Sequence, residues 1–228
     1  MSEGYRTEEE QVEALKKWWA ENGKSTLISI VVAIAAVFGW EGYQKQHQAA
    51  IEQASAIYQN MLTAANGSNG RPTPEQLATA KHLADTLKQD FPDSTYAQFA
   101  AMYKARFAVD GKDLATAEQE LHWVLDNASM AEMQIQARLR LARVLYAQDK
   151  YEEALQQLQG DTEAYAASYA EVKGDVFKAQ GKNEQALAAY EEAVELNSKA
   201  EKPVNNGLLK IKLEQLKSTM GIAATEDA

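Results

Sequence analysis

The sequence predicts an all-α protein: a single N-terminal transmembrane helix followed by a solenoid of helical hairpins. Three observations carry this. Residues 25–40 read STLISIVVAIAAVFGW, sixteen residues without a charge. Downstream, apolar residues recur at helical spacing between short turns, and no segment alternates with the period of two that marks a half-buried strand. The turns themselves recur at intervals that bring small residues into register.

Lys24 can snorkel outward and Glu41 can sit among headgroups, which extends the apolar run to residues 24–43, roughly the 20 residues that a ~30 Å hydrocarbon core needs. Trp18 and Trp19 precede the span and Trp40 and Tyr43 close it, as expected of rings that prefer the membrane interface. A buried core helix would carry a polar stripe along its length, whereas Ser25, Thr26 and Ser29 gather near one end. A cleaved signal would leave through a small-x-small exit, whereas this run leaves through Phe38-Gly-Trp-Glu. An uncleaved anchor is therefore predicted. Arg6, Lys16, Lys17 and Lys24 precede the span and only Lys45 follows within a comparable distance, so residues 1–23 are expected on the cytoplasmic side and the remainder across the membrane. Ala35, Gly39 and Gly42 put small residues on one side of the helix, either for close approach of another helix or as ordinary filling.

Within the lead, Val12, Leu15, Trp18 and Trp19 fall at helical spacing, so residues 1–23 read as an amphipathic segment that rests on the membrane or docks a cytoplasmic partner. The chain carries 33 acidic and 23 basic residues, a net charge of −10 that argues against nucleic acid as a partner. It has no cysteine, which excludes thiol catalysis, thiolate metal sites and disulfides. His47, His82 and His122 sit on separate predicted helices, and no H-E-x-x-H, G-x-S-x-G or glycine-rich phosphate loop is present. Carboxylate pairs such as Glu152-Glu153 and Glu191-Glu192 read as solvated or helix-end charge. No catalytic residue, metal site or cofactor is expected.

Beyond the span the helix is expected to continue, because Ile51, Ala54, Ile57, Tyr58, Met61, Leu62 and Ala65 form an apolar stripe. It breaks at NGSNGRPTP (66–74), where Thr73 before Pro74 reads as an N-cap followed by proline at the first helical position. A helix over 74–90 stops at FPDS (91–94), and the next begins near Thr95. Turns follow at DGKD (110–113), DNAS (126–129), QDK (148–150), QGD (159–161) and QGKN (180–183). A helix over 203–219, with Leu209, Leu213 and Leu216 on one side, covers the last pair, and residues 220–228 read as a frayed tail.

Aligning these segments brings Ala80, Ala117, Ala154 and Ala186 together at intervals of 37, 37 and 32 residues. Twelve residues before the last three stand Ala105, Ala142 and Gly174, and four residues after them Leu121, Leu158 and Tyr190. Small residues at both positions let the helices of a pair cross closely. With DLATAEQEL (113–121), KYEEALQQL (150–158) and KNEQALAAY (182–190), the pattern resembles the tetratricopeptide repeat over 95–197 and loosely over 47–92. It departs from that repeat in lacking its aligned tryptophan, in carrying Lys104 and Lys173 where leucine is usual, and in putting Ser68 in a loop; the first copy then reads as a cap or connector. The inner wall of such a solenoid is its usual recognition surface. The register assigns to it Phe99, Met102 and Arg106, then Leu139, Arg143 and Tyr146, then Glu171, Asp175 and Lys178, as partner-binding positions or as contacts between neighbouring pairs.

The lead EEEQVEALKKWWAENGK (8–24), the anchor directly after it, Gly39-Trp40 at its end and LRLARVLYAQDKYEEAL (139–155) in the repeats together resemble the YfgM-like family of gammaproteobacteria, ancillary subunits of the SecYEG translocon. The resemblance implies an inner-membrane protein with periplasmic repeats over 44–219, associated with the translocon and with a membrane-anchored prolyl-isomerase-type periplasmic chaperone, PpiD. It further implies help in handing unfolded secretory or outer-membrane proteins to periplasmic chaperones, and a link between the cytoplasmic lead and an envelope-stress response regulator. An envelope or cell-division scaffold built on the same repeats is the competing class.

Overall fold

The computed structural model describes residues 8–67, 70–160, 162–200, 203 and 206–222. Arg6, Ser68 and most of the C-terminal tail, residues 223–228, lie outside the described residues. Among the described residues there are nine α-helices and no strand. They are α1 (Glu8–Asn66), α2 (Pro74–Asp90), α3 (Thr95–Asp110), α4 (Leu114–Asn127), α5 (Ala131–Ala147), α6 (Tyr151–Gln157), α7 (Ala166–Ala179), α8 (Asn183–Lys199) and α9 (Gly207–Thr219). The chain divides into residues 1–53 and 54–228.

In the first unit α1 carries its apolar run uncovered: Ile28, Val31, Val32, Val37 and Phe38 are all more than half exposed. Among the described residues this is the helix long and apolar enough to cross a membrane. At 1.5 Å per residue, the rise from Trp19 to Trp40 is about 32 Å, close to the thickness of a hydrocarbon core. Two hydroxyls within it are satisfied locally, Thr26 donating to the Asn22 carbonyl at 3.0 Å and Ser29 to the Ser25 carbonyl at 2.9 Å. Neither brings an unpaired donor into an apolar surrounding.

The second unit is an array of hairpins whose ends are written in the chain. Thr73 and Gln76 form a reciprocal capping box at the start of α2, with Pro74 as the first helical residue. Ser94, Asp113 and Asn206 cap α3, α4 and α9 through their side chains. Each hairpin then turns through one residue at positive φ, namely Lys112 (61°), Asp149 (59°) and Gly181 (73°). The following amide closes back onto the carbonyl five residues earlier: Asp113 onto Ala108, Lys150 onto Leu145 and Lys182 onto Phe177.

The small residues of the repeat are buried at every aligned position: Ala80, Ala117, Ala154 and Ala186 are fully covered, as is Ala142, and Ala105 is 2% exposed. Leu121, Leu158 and Tyr190 are buried beside them. At Gly174 the reason differs from helix crossing alone, because a β-carbon there would lie 2.4 Å from two atoms of the Tyr190 ring. The space a side chain would take is filled by a tyrosine from α8. The shorter third interval follows from α6, which ends three residues after Ala154, whereas α4 runs ten residues beyond Ala117. Gly160, at a φ of 93°, turns the chain there toward a short 3-10 turn and α7.

Lys104, the departure from the repeat's usual leucine, sits in a largely buried ion cluster. Its ammonium lies 2.6 Å from Glu120 and 2.5 Å from Asp85, and Lys88 reaches Glu120 from α2 at 2.5 Å. Burial alone would lower the Lys104 pKa, but the two carboxylates outweigh it and raise it. At the other end α9 closes the array, burying Leu209 and Leu216 against Ala186, Tyr190 and Ala193. Lys212 of α9 pairs with Glu171 at 2.9 Å and with Asp175 at 2.8 Å.

Candidate partner-binding groove

The first helices of the hairpins, α3 and α5, leave a groove between them that opens into two adjoining clefts. The wider one, of about 390 Å³, is aromatic. Tyr58 from the end of α1 lies 6.2 Å from Phe99 and 6.5 Å from Tyr103 between ring centroids. Met102 and Met133 complete its apolar wall, and Gln136 and Arg140 of α5 face them. The second, of about 260 Å³, has a floor of Ala105, Leu121 and Val144, with Val109 and Leu114 at its sides. Arg106 and Arg140 line both clefts, and Arg143 lines the second.

The helical period explains why these side chains share a surface. Phe99, Met102, Tyr103 and Arg106 are three or four residues apart along one face of α3, and Gln136, Arg140 and Arg143 along one face of α5. Electrostatically the groove is open. Arg106 has only Asp110, 3.8 Å away and largely exposed, as a carboxylate neighbour. Arg140 bonds Gln136 at 3.1 Å through a neutral oxygen. Among the described residues neither Arg140 nor Arg143 has an ion pair. Desolvation lowers the Arg140 pKa, opposed in part by Tyr165 and assisted by the Arg143 charge. A guanidinium stays charged through such a shift. The lining of the two clefts contains three arginines and no acidic residue.

Of the positions assigned from sequence, Phe99, Met102 and Arg106 meet in the aromatic cleft, and Arg106 and Arg143 meet in the second. Leu139 is a correction: it is 5% exposed and belongs to the core with Ile135, Leu145 and Tyr169, so it presents nothing to a partner. Tyr146 is half-buried against Tyr151 and lines neither cleft. Lys178 is exposed but stands apart from both, and Glu171 and Asp175 beside it are occupied by Lys212. Tyr58, Tyr103, Gln136 and Arg140 line the clefts without being assigned by the repeat register. The sequence signal for Arg140 is its spacing of four from Gln136 and three from Arg143, a polar stripe that shares Arg143 with the stripe through Leu139 and Tyr146.

On α1, Trp18 and Trp19 are exposed with ring centroids 6.3 Å apart, and Trp19 lies over Gly23. Trp40 and Tyr43 stand 6.1 Å apart at the other end, with Tyr43 stacked on His47. Lys24 is exposed. Among the described residues no cluster of histidines or carboxylates could hold a metal ion.

These features define a class: a helical-repeat protein with one helix of membrane-spanning length and an open groove on its hairpins. Residues 16–218 match the family model described as a tetratricopeptide repeat-like domain. A protein of Neisseria gonorrhoeae named ancillary SecYEG translocon subunit is 32% identical over 92% of this chain and 97% of its own. Proteins of the same name from Escherichia coli and Haemophilus influenzae are 31% identical over 83% of this chain and 88% of theirs, and 29% identical over 92% and 97%. The chain belongs to this tetratricopeptide repeat-like family of ancillary SecYEG translocon subunits.

Proposed function

We propose that the chain is a non-enzymatic adaptor of the bacterial inner membrane that associates with the SecYEG translocon and with a membrane-anchored prolyl-isomerase-type chaperone, and assists handover of translocated proteins. The observation that carries the translocon association is similarity along nearly the whole chain to proteins named for that role. In this reading residues 24–43 anchor the chain, residues 1–23 lie in the cytoplasm and the repeats in the periplasm. The excess of Lys16, Lys17 and Lys24 over Lys45 supports the orientation. Anchoring raises the effective concentration of the repeats at the channel exit, so weak contacts suffice for handover.

Co-purification from mild detergent of the full chain and of a form lacking residues 1–43 tests the association. Recovery of translocon subunits and the chaperone with the full chain supports the adaptor; division or cell-wall proteins without translocon subunits would replace it with the scaffold reading. The absence of cysteine makes orientation accessible directly. In intact spheroplasts a membrane-impermeant maleimide is expected to label Asp110→Cys and spare Glu9→Cys, and the opposite pattern overturns the orientation.

A further inference from the structure

The groove between α3 and α5 combines an aromatic, partly polar cleft and an apolar one with positive charge where they meet, offset by Asp110 at Arg106 alone, and its construction restricts what it can hold. On a chain of net charge −10, a lining with Arg106, Arg140 and Arg143 and no acidic residue is a local reversal of sign. Neutral amides or hydroxyls would satisfy the rim of a purely apolar groove equally well. Guanidinium groups in a fork geometry instead match carboxylates, and they do so most strongly where water is partly excluded. Arg106 and Arg140 are the residues common to both clefts, so the charge stands between the apolar sites.

We propose that this groove binds a segment of a partner protein with the pattern apolar, acidic, apolar. Its aromatic or large aliphatic end enters the cleft of Tyr58, Phe99 and Tyr103, its carboxylates meet Arg106, Arg140 and Arg143, and its second apolar residue covers Ala105, Val109 and Val144. From Met102 to Val109 the rise along α3 is about 10 Å, which a peptide in the polyproline II conformation spans in about three residues, with side chains three apart on the same side. A motif of the form Phe-Glu-Glu-Leu has that reach. This assignment rests on the adaptor reading only in taking the groove as a recognition surface.

The test uses the full chain in lipid nanodiscs, with empty nanodiscs as the blank, and fluorescence anisotropy of three labelled decapeptides that differ only in containing Phe-Glu-Glu-Leu, Phe-Gln-Gln-Leu or Phe-Lys-Lys-Leu. The glutamate peptide is expected to bind at least about tenfold more tightly than the lysine peptide, with glutamine between them and the preference shrinking as salt rises. The double variant Arg140→Glu/Arg143→Glu is expected to reverse the order. Because that variant places acidic charge on a packed helix, Arg143→Gln serves beside it, with at least a threefold loss for the glutamate peptide expected and an unchanged melting temperature. Binding of the three peptides within twofold of one another, saturation by none of them, or an unaltered preference in Arg143→Gln overturns the inference. Translocon co-purification by the wild-type chain is scored separately, so failure of the groove and failure of the adaptor reading are distinguishable.

Discussion

Replacing Gly174 by alanine tests the packing of α7 on α8 by the sign of its effect. In an ordinary helix interior the change stabilises by about 1 kcal/mol, since alanine is the better helix former. Here the new β-carbon would sit 2.4 Å from two ring atoms of Tyr190 and 3.1 Å from a third. Carbon atoms pack at about 3.5–4.0 Å, so the ring must move by more than about 1 Å. It has nowhere to go, because Tyr190 is 1% exposed and its hydroxyl donates to Asp175 at 2.8 Å, while Asp175 is itself held by Lys212. Overpacking costs about 1–3 kcal/mol, and losing a hydrogen bond to a charged acceptor about 1.5–3. Subtracting the helix gain leaves a net loss of about 3 kcal/mol. At about 2–4 °C per kcal/mol for a domain of this size, the melting temperature should fall by about 6–12 °C. Thermal unfolding of the full chain in detergent, followed by circular dichroism, measures it. The double change Gly174→Ala/Tyr190→Leu should be less damaging than the sum of the two singles, because the smaller side chain vacates the contested space. An equal or higher melting temperature for Gly174→Ala would refute the reasoning.

Four further outcomes follow from the same geometry. Lys104→Met removes one of the two lysines that hold the nearly buried Glu120 and should destabilise by about 2 kcal/mol, with Glu120→Leu recovering part of the loss in a double-mutant cycle. The Glu118 pKa is lowered by the hydrogen bond from Lys150, partly offset by burial, with Gln148 assisting. Its contribution is present above its ordinary value of 4.5 and lost as pH falls through the lower folded value, so on acidification below 4.5 Glu118→Gln should lose less stability than wild type. Lys112→Gly relieves a non-glycine residue at a φ of 61° and should raise stability by about 0.5–1 kcal/mol, read as a shift in urea midpoint without a change in slope. Ile30→Arg/Ile34→Arg adds about 6–8 kcal/mol to insertion of the span, and should move the chain from a carbonate-resistant membrane pellet to the soluble fraction.

Local pattern carried the architecture: an uncharged run bounded by aromatic residues, the Thr73-Pro74 start of α2, and turns whose spacing aligned Ala117, Ala154 and Ala186. Those features act over one or two turns of chain, so they are readable without knowing what lies opposite. The face of α5 that reaches solvent was not readable in this way. Leu139 and Arg140 are adjacent, and stripes through either satisfy helical spacing; which one is buried depends on Tyr169 and Val172 of α7 arriving against it from elsewhere in the fold. Charge was decided similarly. Lys104 looked like a flaw in the repeat until Glu120 and Asp85 met it from neighbouring helices, and Asp175 looked available until α9 brought Lys212 to it. The sequence by itself determined the helices, their ends and their repeat, because hydrophobic period and capping are local. Only the tertiary structure decided which polar groups are already paired and which, like Arg140 and Arg143, face an open groove, because pairing depends on residues from 16 to 41 positions apart being brought within a few ångströms.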